Sequence, residues 1–154
     1  MDILIGNEQK NLELNESVEK YIKNAIETVL EIEGVENEGE VSVTIVDNDK
    51  IRVLNSDYRK IDSETDVLSF PQYDDLINTF SDMEYLVMGD IVISADKVIE
   101  QAEEFGHSIE REFTYLVIHS MYHLLGFDHL TEEDKKSMRI KEKFVLEKMR
   151  IFKG

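Results

Sequence analysis

Three histidines set the chemistry open to this chain. All four of its histidines fall between positions 107 and 129, and the last three, His119, His123 and His129, stand at H-x-x-x-H-x-x-G-x-x-H spacing. On a helix, residues four apart lie on one face, so His119 and His123 can grip a single ion between them. Gly126 lets the chain leave the helix and turn back, which brings His129 within reach of the same ion. Three neutral imidazoles fill three corners of a tetrahedron and leave the fourth open to water or substrate. That is the arrangement of a catalytic rather than a structural zinc site. Unrelated histidines on an amphipathic helix are the competing reading, and three at this spacing favour the metal. With no Cys in the chain, thiolate ligation, disulfides and a cysteine nucleophile are excluded. One Zn2+ per chain is the expected cofactor, with nickel and cobalt also acceptable to imidazole ligands.

Metzincin proteases share this spacing, but there a Glu follows the first His as general base. Ser120 stands in that place here. The ligand geometry is kept and the peptidase chemistry is dropped. Asp128, beside a ligand, is a candidate catalytic residue, either as partner to an imidazole N–H or as a helper base; a turn or cap role competes. Glu112 and Tyr115 precede His119 on the same helical face and are candidate supports for it. His107 follows a helix-ending Gly, where capping or exposure competes with a role in the site.

The elements that must position these residues are legible in the hydrophobic pattern. Ile3 to Ile5 reads as a short edge strand. Asn15 caps a helix with an apolar stripe through Val18, Ile22, Ala25, Ile26 and Val29, closed at Gly34. Val41 to Val46 alternates and is β-branched, so it reads as a strand. Asp49 to Arg59 reads as a helix with Ile51, Leu54 and Tyr58 on one side. Val67 to Phe70, stopped by Pro71, is a short strand. Gln72 to Glu84 reads as an acidic surface loop, and Val87 to Ser94 as a further strand. Ser94 then caps a helix carrying Val98, Ile99, Ala102 and Phe105, which Gly106 closes. Ser108 caps the histidine helix, and Thr131 opens a last helix reaching about Phe152. That helix mixes Lys135, Arg139 and Lys141 with Glu132, Glu142 and Glu147, so it reads as a salt-bridged solvent face. Helices and strands mix without strict alternation, and the expected class is α+β: one domain over residues 1–154, a small mixed sheet with about five helices.

Bulk composition narrows the setting. The chain has 154 residues, 42% of them hydrophobic, enough for one domain with a real core. The start, MDILIGNEQ, lacks the basic and apolar regions of a signal peptide, and no apolar run reaches membrane-spanning length. A soluble cytoplasmic protein with no membrane partner is expected. The formal net charge is −17, from 34 acidic and 17 basic side chains. Such a chain repels nucleic acid at long range. Any RNA contact therefore needs a local basic patch or a metal.

Several motifs together resemble the YbeY family. HSMYHLLGFDH, from His119 to His129, is similar to the family's H-G-x-L-H-L-x-G-Y-D-H. LNSDYRKIDSETDVLSFP, from Leu54 to Pro71, resembles L-N-x-x-Y-R-x-x-D-x-P-T-D-V-L-S-F-P. GDIVIS, GHSIERE and TEEDKKSM add matches in family order, so the resemblance covers most of the chain. It implies a metal-dependent endoribonuclease directed at single-stranded rRNA, not DNA. The implied roles are maturation of the 16S rRNA 3′ end and ribosome quality control, with the ribosome or its small subunit and associated proteins as partners. It also implies the three histidines as zinc ligands, with the zinc ion in a cleft at the histidine helix, and Arg59 as the basic residue of that cleft; on spacing alone Arg59 is a surface residue of an amphipathic helix. Ser120, Tyr122, Phe127 and Glu64 depart from the family pattern, and none is a ligand. Two other classes stay open: a zinc hydrolase acting on a peptide or small ester, and a non-catalytic ribosome-assembly factor that uses zinc to hold structure.

Overall fold

The computed structural model describes residues 1–150. Its elements run β1 (Asp2–Asn7), α1 (Glu16–Ile32), β2 (Glu38–Val46), α2 (Asn48–Arg59), β3 (Val67–Pro71), β4 (Tyr85–Ser94), α3 (Ala95–Phe105), α4 (Ile109–Leu124) and α5 (Glu132–Lys148). The expected end of the last helix at Phe152 lies outside the described residues. The sheet has the order β1-β2-β4-β3, with β1, β2 and β4 parallel and β3 antiparallel on the far edge. This is the expected α+β class, a mixed sheet with five helices.

The helix starts are local events. Asn15, Asp47, Ser94, Ser108 and Thr131 each accept a backbone N–H with the side chain, satisfying a donor that the first helical turn leaves free. The pattern of residue types predicts four of these five caps; α2 begins one residue earlier than its apolar spacing suggests, on Asp47. One face of the sheet carries Val41, Val43, Ile45, Met88, Ile91 and Ile93. These side chains form one buried cluster with Val18, Ile22 and Ile26 of α1 and Phe113, Val117 and Met121 of α4. The other face carries a smaller cluster, Val46, Leu68 and Val92, covered by Ile51 of α2.

Strand β4 switches its inward phase part-way. Glu40 pairs with Val87 but Ser42 pairs with Asp90, so Met88 and Gly89 together oppose Val41. This bulge lets Leu86 and Met88 point inward before it and Ile91 and Ile93 after it. Asp90 is turned to the opposite face, where it accepts from Ser42 Oγ at 2.5 Å. Gly89 has φ +131°, and a Cβ there would lie 2.2 Å from the Phe70 carbonyl oxygen across the β3–β4 pair. Gly89→Ala should therefore cost on the order of 3 kcal/mol. For a chain of this length that lowers Tm by about 10 °C, read by thermal unfolding of the metal-free protein. A Tm within about 3 °C of the parent would show that the bulge tolerates a side chain.

Three expectations need correction. The acidic segment after Pro71 is not simply a solvated loop. It forms two short 3-10 turns, Leu76–Asn78 and Phe80–Asp82, buries Leu76 completely and donates Ile77 N–H to the Leu125 carbonyl at 2.9 Å. Its apolar residues Leu76, Ile77, Phe80 and Met83 pack on the main cluster, but they are spread among acidic and polar residues over two turns too short to set up a helical or strand period, so composition reads the segment as solvated. Tyr58 does not join the core face of α2; it is exposed, and Asn55 is buried instead, donating to the Ser63 carbonyl. Finally, α5 is not held by surface charge. Lys135–Glu132 and Lys148–Glu31 are exposed pairs, worth at most about 1 kcal/mol each. Met138 and Val145 are buried in the main cluster, and each contributes roughly 1.5–3 kcal/mol. Packing docks α5. Among the described residues, no helix is long and apolar enough to cross a membrane.

Candidate metal centre

Helix α4 delivers two imidazoles and its exit delivers the third. His119 and His123 sit one turn apart near the C-terminal end of α4, and Gly126, at φ +103°, reverses the chain after it. A Cβ on Gly126 would press on Asp74 and Asp75 of the acidic segment at 3.2–3.3 Å, so that segment braces the turn from outside. His129 then folds back over the helix. Its ring lies 4.8 Å from that of His123 and 5.6 Å from that of His119, centre to centre. One nitrogen from each of the three rings lies within 4.8 Å of the other two.

The donor set fits a metal in a specific way. His123 Nδ1 lies 3.0 Å from the Phe127 carbonyl oxygen. A carbonyl only accepts, so Nδ1 carries the proton and Nε2 presents its lone pair. His119 Nδ1 lies 2.7 Å from Glu142 Oε2, which fixes the same tautomer. The two Nε2 atoms face each other at 3.1 Å, lone pair against lone pair. Two metal–nitrogen bonds of about 2.0–2.1 Å at a tetrahedral angle place their nitrogens roughly 3.3 Å apart. A cation relieves the repulsion at the spacing already present. The His123 pKa is lowered, first by burial and then by the neighbouring charges of His119 and His129, which favours the neutral form that ligates.

Glu142 is the residue that sequence reasoning misses. By composition it belongs with the solvent-facing acids of the last helix, yet it is buried and bonded to His119 across 23 positions of sequence. The available signal is its place between Met138 and Val145 at helical spacing, on the buried stripe of α5. The geometry gives Glu142 the orienting role weighed for Asp128. Asp128 is exposed, lines the cleft, and accepts from the backbone N–H of His129 at 2.8 Å; it stiffens the exit turn. Glu142→Ala should cost about 10- to 100-fold in zinc affinity. Glu142→Gln, whose amide oxygen can still accept from Nδ1, should cost less. Competition with a chromophoric chelator reads both. Equal affinity for Glu142→Ala and the parent would reduce Glu142 to a packing residue.

The histidines line a cleft of about 610 Å³ together with Arg59, Asp66, Ser69 and Asp128. Arg59 reaches it from the last turn of α2. One guanidinium nitrogen donates to the Ser69 carbonyl at 2.6 Å, and the group lies 5.8 Å from the Phe70 ring centre. The Ser69 hydroxyl in turn is hydrogen-bonded to that of Ser120, next to His119. Strand β3 thus ties the cationic wall to the histidine helix, and the segment from Asp66 onward forms cleft wall as well as sheet. Tyr115 stacks on His119 at 6.2 Å, and its hydroxyl pKa is pushed up to about 12, chiefly by burial. Glu112 faces away. It is buried against His107 Nε2, at 2.5 Å, and Gln101, so Glu112 and His107 form their own pair outside the triad. Glu64, where the family pattern has Pro, is paired with Lys97 at 3.6 Å.

Comparison with known proteins meets this geometry from another side. The family model described as Endoribonuclease YbeY matches residues 4–150. The chain is 47% identical to the Endoribonuclease YbeY of Caldicellulosiruptor saccharolyticus over 154 residues, covering 97% of this chain and 98% of the relative. It is 50% identical to that of Caldanaerobacter subterraneus subsp. tengcongensis, with the same coverage. The solution structure of a Thermotoga maritima protein, 28% identical, superposes with a TM-score of 0.61 over 96% of this chain and 91% of the other. The family match runs through the sheet, the Arg59 turn and the histidine helix, and so this chain belongs to the YbeY family of endoribonucleases.

Proposed function

We propose that this protein is a zinc-dependent endoribonuclease that cuts single-stranded rRNA in the cytoplasm, matures the 16S rRNA 3′ end and serves ribosome quality control. The observation that carries the reading is the convergence of three imidazoles in a cleft walled by Arg59. In this reading His119, His123 and His129 hold one zinc ion. When bound, zinc supplies Lewis acidity at the cleft floor, the property that brings water within reach of deprotonation near neutral pH. Arg59, with one nitrogen anchored on Ser69 and the rest of its fork directed at the cleft, binds the phosphate and offsets charge that builds on it during cleavage. The Asp128 carboxylate at the rim, beside His129, is a group placed to accept a proton. The RNA's own 2′-OH is an alternative nucleophile within the same arrangement. Because the chain carries −17 net charge, the substrate strand is best presented by the small subunit or an associated protein.

The test is metal removal. Purified protein should hold about one zinc per chain and cut a single-stranded fragment of the 16S rRNA 3′ end. A chelator should stop cleavage, and added zinc should restore it. Bound zinc with RNA left intact, even when ribosomes are added, would point to an assembly factor that does not cut. Cleavage unaffected by complete metal removal would overturn the metal reading.

A further inference from the structure

A chain with twice as many acids as bases must hold RNA through a few local cations, and Arg59 is one of them. The other side of the metal centre has its own. A second hollow, of about 270 Å³, opens between α4 and α5 and is lined by Tyr115, His119, His129, Lys135, Arg139 and Glu142. It shares Tyr115, His119 and His129 with the main cleft, so the two meet along that rim, with Arg59 beyond one side and α5 beyond the other.

The helix geometry explains why these cations face the site. Glu142 is held against His119 on the same buried stripe as Met138 and Val145, and the docking of that stripe sets the rotation of α5 about its axis. Arg139 lies three residues before Glu142 and Lys135 seven before it, positions that share one helical face. Any helix that brings Glu142 to His119 therefore brings Arg139 and Lys135 to the same hollow. Both are exposed. Lys135 leans on Glu132 at 3.3 Å, whereas Arg139 has no carboxylate partner among the described residues. An exposed guanidinium left without a partner, in a chain with 34 acids, is available to an external anion.

We infer that α5 is a second anchor for the RNA backbone, with Arg139, assisted by Lys135, contacting a phosphate across the histidine rim from Arg59. This deepens and rests on the ribonuclease reading. The strand then passes from Arg59 over the metal centre to α5, and the scissile phosphate is flanked by a cation on each side. Both contacts are to phosphate, so they set the path and register of the strand and carry no sequence preference.

The experiment compares the zinc-loaded parent with Arg139→Ala, Arg139→Lys and the double variant Lys135→Ala/Arg139→Ala on a single-stranded RNA oligonucleotide, over a series of salt concentrations. The double variant should raise KM roughly tenfold, with the loss falling on KM rather than kcat. The slope of log KM against log salt should fall by about 0.7 for each phosphate that the variant no longer neutralises. Arg139→Lys should recover most of the loss, and zinc content should stay at the parent level. KM and salt slope equal to the parent's in the double variant would overturn the inference while leaving the ribonuclease reading intact. Zinc lost together with activity would overturn it too, since Arg139 would then be supporting the Glu142–His119 contact. A parent protein that neither binds nor cuts single-stranded RNA would remove the underlying reading, and the anchor with it.

Discussion

His123→Ala is expected to lose bound zinc and, with it, more than about a thousandfold of RNA cleavage. The ring of His123 is the middle one of the three, with its centre 4.6 Å from that of His119 and 4.8 Å from that of His129, so its loss takes away the nitrogen between the other two. Structural zinc sites with a full ligand set are worth roughly 10–16 kcal/mol. One ligand therefore stands for about 3 kcal/mol or more, enough to weaken binding on the order of a hundredfold. The remaining pair, His119 and His129, would hold metal only in large excess. The fold should survive. His123 is only half-buried, and its Nδ1 bonds to the exit-turn carbonyl of Phe127. Metal analysis after gel filtration, circular dichroism and the cleavage assay are read on one sample. A folded variant that still carries a full equivalent of zinc and cuts at the parent rate would end the case for this centre.

Arg59→Ala should lower kcat by about 10²- to 10³-fold with zinc content unchanged, the usual cost of removing a preorganised donor from charge that develops in the transition state. Its position argues for that role over a structural one. Arg59 spends a single short bond on the Ser69 carbonyl, and its side chain is exposed along a cleft wall. No carboxylate lies within salt-bridge distance of it among the described residues. Arg59→Lys should recover little, because an ammonium lacks the planar fork that grips two phosphate oxygens at once. A kcat within about threefold of the parent would reassign Arg59 to holding β3 against α2. This variant and the α5 variants separate two uses of positive charge. One acts on the reacting phosphate and shows in kcat; the other acts on strand binding and shows in KM and the salt slope.

The two expectations draw on different kinds of information. The His123 result is legible in the sequence because i, i+4 spacing on a helix is a local constraint: once α4 forms, His119 and His123 must share a face. Gly126 and the two residues between it and His129 close the third ligand by a turn too short to lead elsewhere. The helix caps are legible for the same reason, since Asn15, Ser94, Ser108 and Thr131 act on their own first turns. The Arg59 result draws on resemblance to a family, because nothing in the spacing around Arg59 distinguishes it from any cation on an exposed helix face. Only the β3 strand, pairing antiparallel with β4 and crossing beside α4, brings the Ser69 carbonyl to Arg59 and the Ser69 hydroxyl to Ser120.

The sequence by itself determined the histidine triad, the mixed α and β elements with most of their ends, and the absence of thiol chemistry. Each of these follows from residue type and spacing within a turn or two. Tertiary structure decided the order of the strands, the bulge at Gly89 that turns Ile91 and Ile93 inward, the burial of Leu76, and above all the choice of Glu142 over Asp128 as the carboxylate behind His119. These depend on which surfaces meet. That choice is made by the summed burial of many apolar side chains from distant segments, each worth a few kcal/mol, and no single window of sequence contains the sum. Met138 and Val145 dock α5 because they are apolar, and the docking then gives Glu142, Arg139 and Lys135 positions at the metal centre that their own charges did not select.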